Sequence, residues 1–473
     1  MVPRVGLIPR AAISRRYVQK VIGSAYSSLN KDVDAPLVSH LMERGLLANV
    51  TSPNLEEELK AGKKIKLYLG ADPTASSLHV GNMVPLMVLL HFFVRGHNPI
   101  ALVGGATGEV GDPSGRTTER QAIANQVRAN NIESIHSQMK VFLERGKEYA
   151  FQKGFEQEGT AEFLNNADWW RNVTMLGFLG TYGRHIRVSQ MLGRDSIKSR
   201  LNSEQGIGFN EFTYQVLQAY DFWHLYSNHE CQLQIGGNDQ WGNITAGIDL
   251  ISRLRKDPKK EAYGATVPLL TTPSGEKFGK SAGNAVWLDS KLTKPYDLYQ
   301  YFVKSPDSVV ETYLKMFTFI SLEEIKQIIS QHGQDESLRY AQRRLATEVT
   351  DLVHGAGAGQ RAELISGFLF PSPGSSMSAT VTNEDILRAF EIEGLAIEAN
   401  RNEVVGQPWK SVLSNVLGIS RSEAGRLLKG GGVYYGRQNV QVTNGSNVEE
   451  SMVDGNLFVI RTGKSSYSIV KLL

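Results

Sequence analysis

Between Ile65 and Gly70 the chain reads IKLYLG, a short apolar run with β-favouring residues that ends in the turn-rich ADPTASS. An apolar stretch of helical length follows from about Gly81 to Val94, and Arg95-Gly96-His97-Asn98 stops it. Pro99–Gly105, PIALVGG, is a second strand-like run. Strand, helix and strand within about forty residues predict a βαβ unit, hence a parallel sheet with a ligand site at the carboxyl ends of its strands. Strand-like runs at Gln232–Gly236 and Ala265–Leu270 extend that sheet. From Tyr296 to about His354 the pattern turns helical. Two loose stretches, GAGAG at 355–359 and PSPGSSMS at 371–378, interrupt this second region. The last 66 residues return to a small helix-plus-strand module, and no internal repeat is present.

One helical segment has an unusual polar pattern. In Thr213–Phe222, TYQVLQAYDF, residues Tyr214, Gln218 and Asp221 fall in one narrow stripe at 100° per residue. Val216, Leu217, Tyr220 and Phe222 spread around the remainder. Burying such a stripe unpaired would cost roughly 2–7 kcal/mol. It is therefore either a self-satisfied core network or the wall of a polar pocket. The presence of a βαβ site in the same chain favours the pocket.

Composition narrows the class. The 473 residues are 41% hydrophobic and 21% charged, as in globular protein, and long enough for about three domains. The longest apolar run, Met83–Val94, falls short of the ~20 residues that span a bilayer. The single cysteine, Cys231, excludes an intramolecular disulfide and a cysteine-based zinc cluster, and the composition reads as a protein of a reducing compartment. The net charge of +3 divides unevenly. Residues 1–31 carry +6 with no acid, residues 408–473 carry +4, and the remainder carries −7. The basic start, with AAISRRYV inside it, has the composition of a mitochondrial transit peptide; a basic arm that touches RNA has a similar one.

Three further segments have candidate chemistry. Asp72-Pro73-Thr74 and His79-Val80-Gly81-Asn82 lie between the first strand and its helix, where free N–H groups and the helix dipole favour phosphate. Lys277-Phe278-Gly279-Lys280-Ser281 follows a Gly-containing turn and fails the Walker A pattern, because position 274 is Ser. Two lysines there suit a polyphosphate whose charge grows during reaction; alone, the stretch would read as a solvated basic turn. GGATG at 104–108 and GDPSGR at 111–116 lack dinucleotide spacing. Asp112 there could hold an ammonium, and Arg116 and Arg120 could face phosphate.

Taken in order, these segments resemble the class I aminoacyl-tRNA synthetases, specifically the tyrosyl-tRNA synthetases of bacterial and mitochondrial type. His79–Asn82, HVGN, is similar to the family's HIGH signature, and Lys277–Ser281, KFGKS, to KMSKS. YLGADPTASSLHVGN, ALVGGATGEVGDPSGR, YQVLQAYDF and QIGGNDQWGN resemble its longer signatures, and the likeness runs from about Pro36 to the C-terminus. It implies an α/β fold: a Rossmann-type parallel-sheet catalytic domain at 32–289 with a dimer-forming insertion, then an α-helical anticodon-binding domain at 290–395. A linker at 396–407 and a small α+β RNA-binding domain at 408–473 would follow.

The resemblance also implies roles. Tyr68 and Asp221 would bond the phenol hydroxyl of tyrosine. Asp112, Tyr214 and Gln218 would hold its ammonium, with Gln234 and Gln240 lining the pocket. Thr74 and His79 would contact the γ-phosphate side of ATP, and Asn82 its ribose. Asp72, Gly81, Gly237, Asp239 and the Leu269–Leu270 backbone would complete the ATP site. Lys277 and Lys280, with Arg116 and Arg120, would stabilise departing pyrophosphate. Two positions depart from the family pattern: Asn82 stands where many members have a second His, and Asn238 replaces the Ser of GGSDQ.

In the C-terminal module, Arg421, Arg426 and Lys429 fall within about 140° of a helix surface, backed by Ala424, Leu427 and Leu428. With the following GGGVYYGRQNV, this resembles the α-L-type RNA-binding domain of bacterial members. The implied activity is tyrosine–tRNA ligation in the mitochondrial matrix by a homodimer, with L-tyrosine, ATP, Mg²⁺ and tRNA(Tyr) as partners. No protein-bound metal site and no membrane association are implied. A tryptophanyl enzyme is the nearest rival, and an RNA-binding or intron-splicing factor on a synthetase scaffold is a rival of another kind.

Overall fold

The computed structural model describes residues 30–114, 124–202, 206–270, 285–370, 381–443, 445–463 and 466–473. Arg116, Arg120, Lys277 and Lys280 lie outside the described residues, as does nearly all of the expected address. Of that address, Asn30 is already held in the packed body: its Nδ2 donates to the carbonyls of Lys153 and Phe319.

Six strands form the first sheet: β1 (Asn49–Val50), β2 (Lys66–Ala71), β3 (Asn98–Val103), β4 (Glu162–Asn165), β5 (Cys231–Gly237) and β6 (Tyr263–Val267). Their spatial order is β1-β6-β5-β2-β3-β4, parallel except where β1 meets β6. From β2 the chain builds outward through β3 to β4, then returns to lay β5 on the other side of β2. That reversal opens a crevice at the carboxyl ends of β2 and β5, where ligands of open α/β sheets bind. The expected strands are present with shifted ends. β6 stops at Val267 rather than Leu270, because Pro268 has no N–H with which to continue a ladder. β1 and β4 are not foreshadowed in the sequence: β1 is two residues long, and β4 has no alternation to betray it.

The helix Val80–Phe93 starts one residue before the predicted Gly81 and is buried on nearly every face, as a crossover helix against a parallel sheet should be. The core it anchors does not end with the sheet. Leu67, Leu86, Leu90, Leu233 and Ala265 belong to the same continuous cluster as Phe302, Leu314, Phe317, Leu345 and Val349 of the helical region. The sheet and the helices Pro295–Val303, Asp307–Phe317, Leu322–His332 and Tyr340–His354 therefore share one hydrophobic core.

A buried guanidinium joins the two. Arg44, 1% exposed, donates to the carbonyls of Lys315, Thr318 and Ile320 at 2.6–3.1 Å and pairs with Asp32 at 3.2 Å. These carbonyls lie in the last turn of the helix Asp307–Phe317 and just beyond it, where intrahelical partners run out.

The C-terminal module has its own sheet, ordered β7-β11-β10-β8-β9: β7 (Ala396–Ala399), β8 (Val433–Tyr435), β9 (Val440–Gln441), β10 (Leu457–Thr462) and β11 (Ser466–Leu472). The expected linker 396–407 is thus partly sheet, since β7 pairs in parallel with β11 from Ala396↔Ile469 to Ala399↔Leu472. The helix Asn383–Ile392 packs Ile386, Leu387 and Phe390 against Leu457, Val459 and Ile469, so the module is joined to the helical region by apolar contact. In the helix Arg421–Lys429, capped by Ser420, Ala424 and Leu428 are buried while Arg421, Arg426 and Lys429 are exposed.

Arg44→Met should destabilise the protein by about 3–5 kcal/mol, because it removes the cation beside the partly buried Asp32 and strands several carbonyls together. Urea denaturation followed by far-UV circular dichroism measures it; a loss under about 1 kcal/mol would mean these groups find water instead.

Candidate active site

Tyr68 on β2 and Gln234 on β5 are register partners across the reversal, each 2% exposed. Tyr68 Oη and Gln234 Oε1 are buried and have no hydrogen-bond partner among the described residues. Orphaned polar atoms of this kind cost about 1–3 kcal/mol each. Both line a cavity of about 370 Å³ at the carboxyl ends of the strands, a size suited to small molecules.

Asp221 closes the inner end, on the helix Phe209–His229. Its Oδ1 accepts from the indole N–H of Trp169 at 2.8 Å and of Trp170 at 2.7 Å, and its Oδ2 from Asn166 Nδ2 at 2.9 Å. Its pKa is raised to about 7: burial raises it most, the three donors lower it, and the charge of Asp72 raises it. Burial, followed by the charge on Asp221, drives the Tyr68 phenol well above its usual value, so it stays a donor.

Carboxylates and amides define the middle of the cavity. Tyr214 Oη donates to Asp72 Oδ2 and Thr107 Oγ1 to Asp72 Oδ1, both at 2.9 Å. The approach is close: a Cβ at Gly104 would lie 2.1 Å from Asp72 Oδ1. Gln240 Nε2 donates to Asp112 Oδ2 at 2.6 Å, while Asn243 Nδ2 donates to Gln218 Oε1 and Gln240 Oε1, each at 3.1 Å. Acceptor oxygens thus converge there, the surroundings an ammonium requires.

The other end is built from the start of the helix Val80–Phe93. His79 is its N-cap: His79 Nδ1 accepts from the Gly81 N–H at 3.1 Å, and Asn82 Oδ1 accepts from the His79 N–H at 3.0 Å. With Nδ1 used as an acceptor, the ring proton sits on Nε2. The backbone of 286–288 clamps this start, with Val80 N–H to Val286 O at 3.0 Å and Leu288 N–H to Leu78 O at 2.8 Å. The Trp287 ring meets that of His79 edge-on at 6.3 Å.

Every described residue expected at the tyrosine or ATP site lines this one cavity, including Thr74, Gly81, Gly237, Asp239, Leu269 and Leu270. Asp72 differs in place: expected on the ATP side, it is bonded to Tyr214 and Thr107 beside the amide cluster. Sequence reasoning missed Asn166, Trp169, Trp170, Thr107, Asn243 and Trp287. The first three lie just beyond the carboxyl end of β4, so identifying Glu162–Asn165 as a strand would have pointed to them.

A parallel sheet of this topology, with a capped helix start at one end of the cavity and a buried carboxylate at the other, is the architecture of a class I synthetase. The family model "tRNA synthetases class I (W and Y)" accordingly matches residues 60–370. The chain belongs to the tyrosyl-tRNA synthetases within that family. It is 45% identical over 444 residues to a mitochondrial tyrosine–tRNA ligase of Saccharomyces cerevisiae, covering 92% of this chain and 89% of the relative. A mitochondrial tyrosine–tRNA ligase of Drosophila melanogaster is 37% identical over 96% of this chain and 97% of its own. Among solved structures, a C-terminally truncated mitochondrial tyrosyl-tRNA synthetase of Aspergillus nidulans superposes with TM-score 0.64 at 38% identity. The match covers 70% of this chain and 93% of that one.

Tyr68→Phe separates stability from function. Removing an orphaned hydroxyl should leave the thermal midpoint of the empty protein unchanged or slightly raised, while kcat/KM for tyrosine falls about ten-fold or more. Calorimetry and an activation assay on the same preparation check it; a clear drop in the midpoint would mean the hydroxyl is satisfied in the empty protein.

Proposed function

We propose that this tyrosine–tRNA ligase binds L-tyrosine with its phenol at Asp221 and Tyr68 and its ammonium among Asp72, Asp112, Tyr214 and Gln218. Mg²⁺–ATP would lie along the helix start at His79. The observation that carries this reading is the inner end of the cavity, where Asp221, a buried acceptor, shares the wall with Tyr68, a buried donor without a partner among the described residues. A phenol hydroxyl is donor and acceptor at once and satisfies both. Indole is a donor only and would leave Tyr68 unpaired, while phenylalanine would leave Tyr68 unpaired and the remaining acceptor position of Asp221 unfilled. A site built to bond a substrate hydroxyl strongly rejects the analogue that lacks it, a selectivity for which tyrosyl-tRNA synthetases are already the known example.

In the first step the tyrosine carboxylate attacks the α-phosphorus of ATP. The new carboxylate–phosphorus bond forms as the bond to the β-phosphate bridging oxygen breaks, and pyrophosphate leaves with Mg²⁺. The His79 Nε2–H and Thr74 are donors at the positive end of the helix, placed for charge that grows on the leaving group. We assign Lys277, Lys280, Arg116 and Arg120 to the same task. The tyrosyl group then passes to tRNA(Tyr). The site needs no covalent nucleophile, because orientation and charge stabilisation are the catalysis.

We further infer that the enzyme works in mitochondria, in the matrix, and as a homodimer. Large apolar side chains stand exposed between 175 and 209, among them Leu176 at 83%, Phe209 at 73% and Met175 at 69%. A second copy is the natural cover for such a surface. We assign the exposed Arg421, Arg426 and Lys429 to tRNA phosphates, and the helices within 290–395 to the anticodon side.

ATP–pyrophosphate exchange measured with each of the twenty amino acids should proceed with tyrosine alone. Exchange with tryptophan only, or with none, would defeat the assignment. Replacing Arg421, Arg426 and Lys429 together by Ala should weaken tRNA binding and flatten its dependence on salt by about two to three contacts, leaving exchange intact. An unchanged salt slope in filter binding would move RNA recognition elsewhere.

A further inference from the structure

Trp170 and Trp169 are neighbours in sequence, yet both indole N–H groups reach the same oxygen of Asp221, with Asn166 on the other. An ionised carboxylate has about four lone-pair positions, so three donors leave one open. Among the described residues Asp221 forms no salt bridge, and Asp72 is a like charge beside it. Facing it from β2 and its end are Tyr68 and Asp72, and Tyr220 is its neighbour on its own helix. His224, one turn on, stacks on Trp169 at 4.4 Å and is held near 4 by burial, so it is neutral at physiological pH. Neutral N–H donors alone offset the burial of this carboxylate.

The Trp170 ring is fixed independently of its N–H. It lies 4.8 Å from Tyr220 and 5.5 Å from Phe178, centroid to centroid, and Phe178 belongs to the helix Met175–Thr181. Packing holds the plane, and the plane aims the N–H.

We propose that Trp170 is a specificity-determining positioning residue: its indole N–H holds the Asp221 carboxylate ionised and turned, so that the one open lone pair meets the phenol O–H of tyrosine. The proposal rests on the cavity's being the tyrosine site. Without this donor, Asp221 retains its proton to higher pH. A protonated Asp221 is itself a donor, and the wall that penalises phenylalanine weakens.

The test is kcat/KM for tyrosine and for phenylalanine in ATP–pyrophosphate exchange, from about pH 6 to about pH 9, on the full chain and on Trp170→Phe. Phenylalanine at 170 keeps a stacking ring and deletes the donor. The acidic limb for tyrosine should move up by about one pH unit, and the tyrosine-to-phenylalanine ratio near neutral pH should fall about ten-fold or more, the worth of one hydrogen bond to a charged group. KM for ATP should hold. Equal losses for both amino acids at every pH, or an unmoved limb and ratio, would overturn the proposal in favour of a packing role. Should Trp170→Phe fail to fold, benzothienylalanine at 170 replaces the N–H by sulfur at nearly constant shape and reads the same two quantities. Failure of the unsubstituted protein to use tyrosine would instead remove the underlying reading, so the two failures are distinct.

Discussion

A carboxylate enclosed at the end of a parallel sheet, with no ion-pair partner among the described residues, is the constraint around which this molecule is arranged. Taking a charge out of water costs several kcal/mol even after relaxation, and Asp221 offsets that cost through donors brought from elsewhere in the chain. Asn166, Trp169 and Trp170 reach it because β4 is the outermost strand on the β3 side and its carboxyl end points toward the helix Phe209–His229. Tyr68 reaches the same wall because β2 occupies the reversal. Move any of these strands by one residue and side chains that face the cavity face the opposite layer.

Much of this is legible in the residues. The βαβ unit and the stripe Tyr214, Gln218 and Asp221 follow from periodicity, and the stripe does face a pocket. Periodicity sees only one element at a time. Asn243 sits on the helix Trp241–Leu254 and orients two glutamines from other parts of the chain, and nothing in its local sequence signals that task. Asp72 reads from its neighbours Pro73 and Thr74 as part of the phosphate end, whereas its partners, Tyr214 and Thr107, come from other segments. β1 and β4 escape such reading because two- and four-residue strands have too few positions to show a pattern.

The boundary between catalytic and helical parts is a case where composition and packing diverge. The pattern changes near residue 290, from strands alternating with helices to helices alone. Side chains do not respect that change, since one apolar cluster runs through both and Arg44, just after the helix Leu37–Glu43, bonds the turn after Phe317. The helices pack directly on the layer under the sheet, so displacement of them would be felt at the strands that position Tyr68 and Gln234.

The pairing of β7 with β11 closes a long loop. The Leu473 N–H donates to Ala399 O, and Leu473 O accepts from the Arg401 N–H, which extends that pairing past the strand ends. Ala396–Ala399 and Ser466–Leu472 lie about seventy residues apart along the chain, so the segment between them, with the basic helix Arg421–Lys429, is held as one closed loop. A cut within β11 would free β7 and loosen the tie between that helix's sheet and the helical region at Ile386, Leu387 and Phe390.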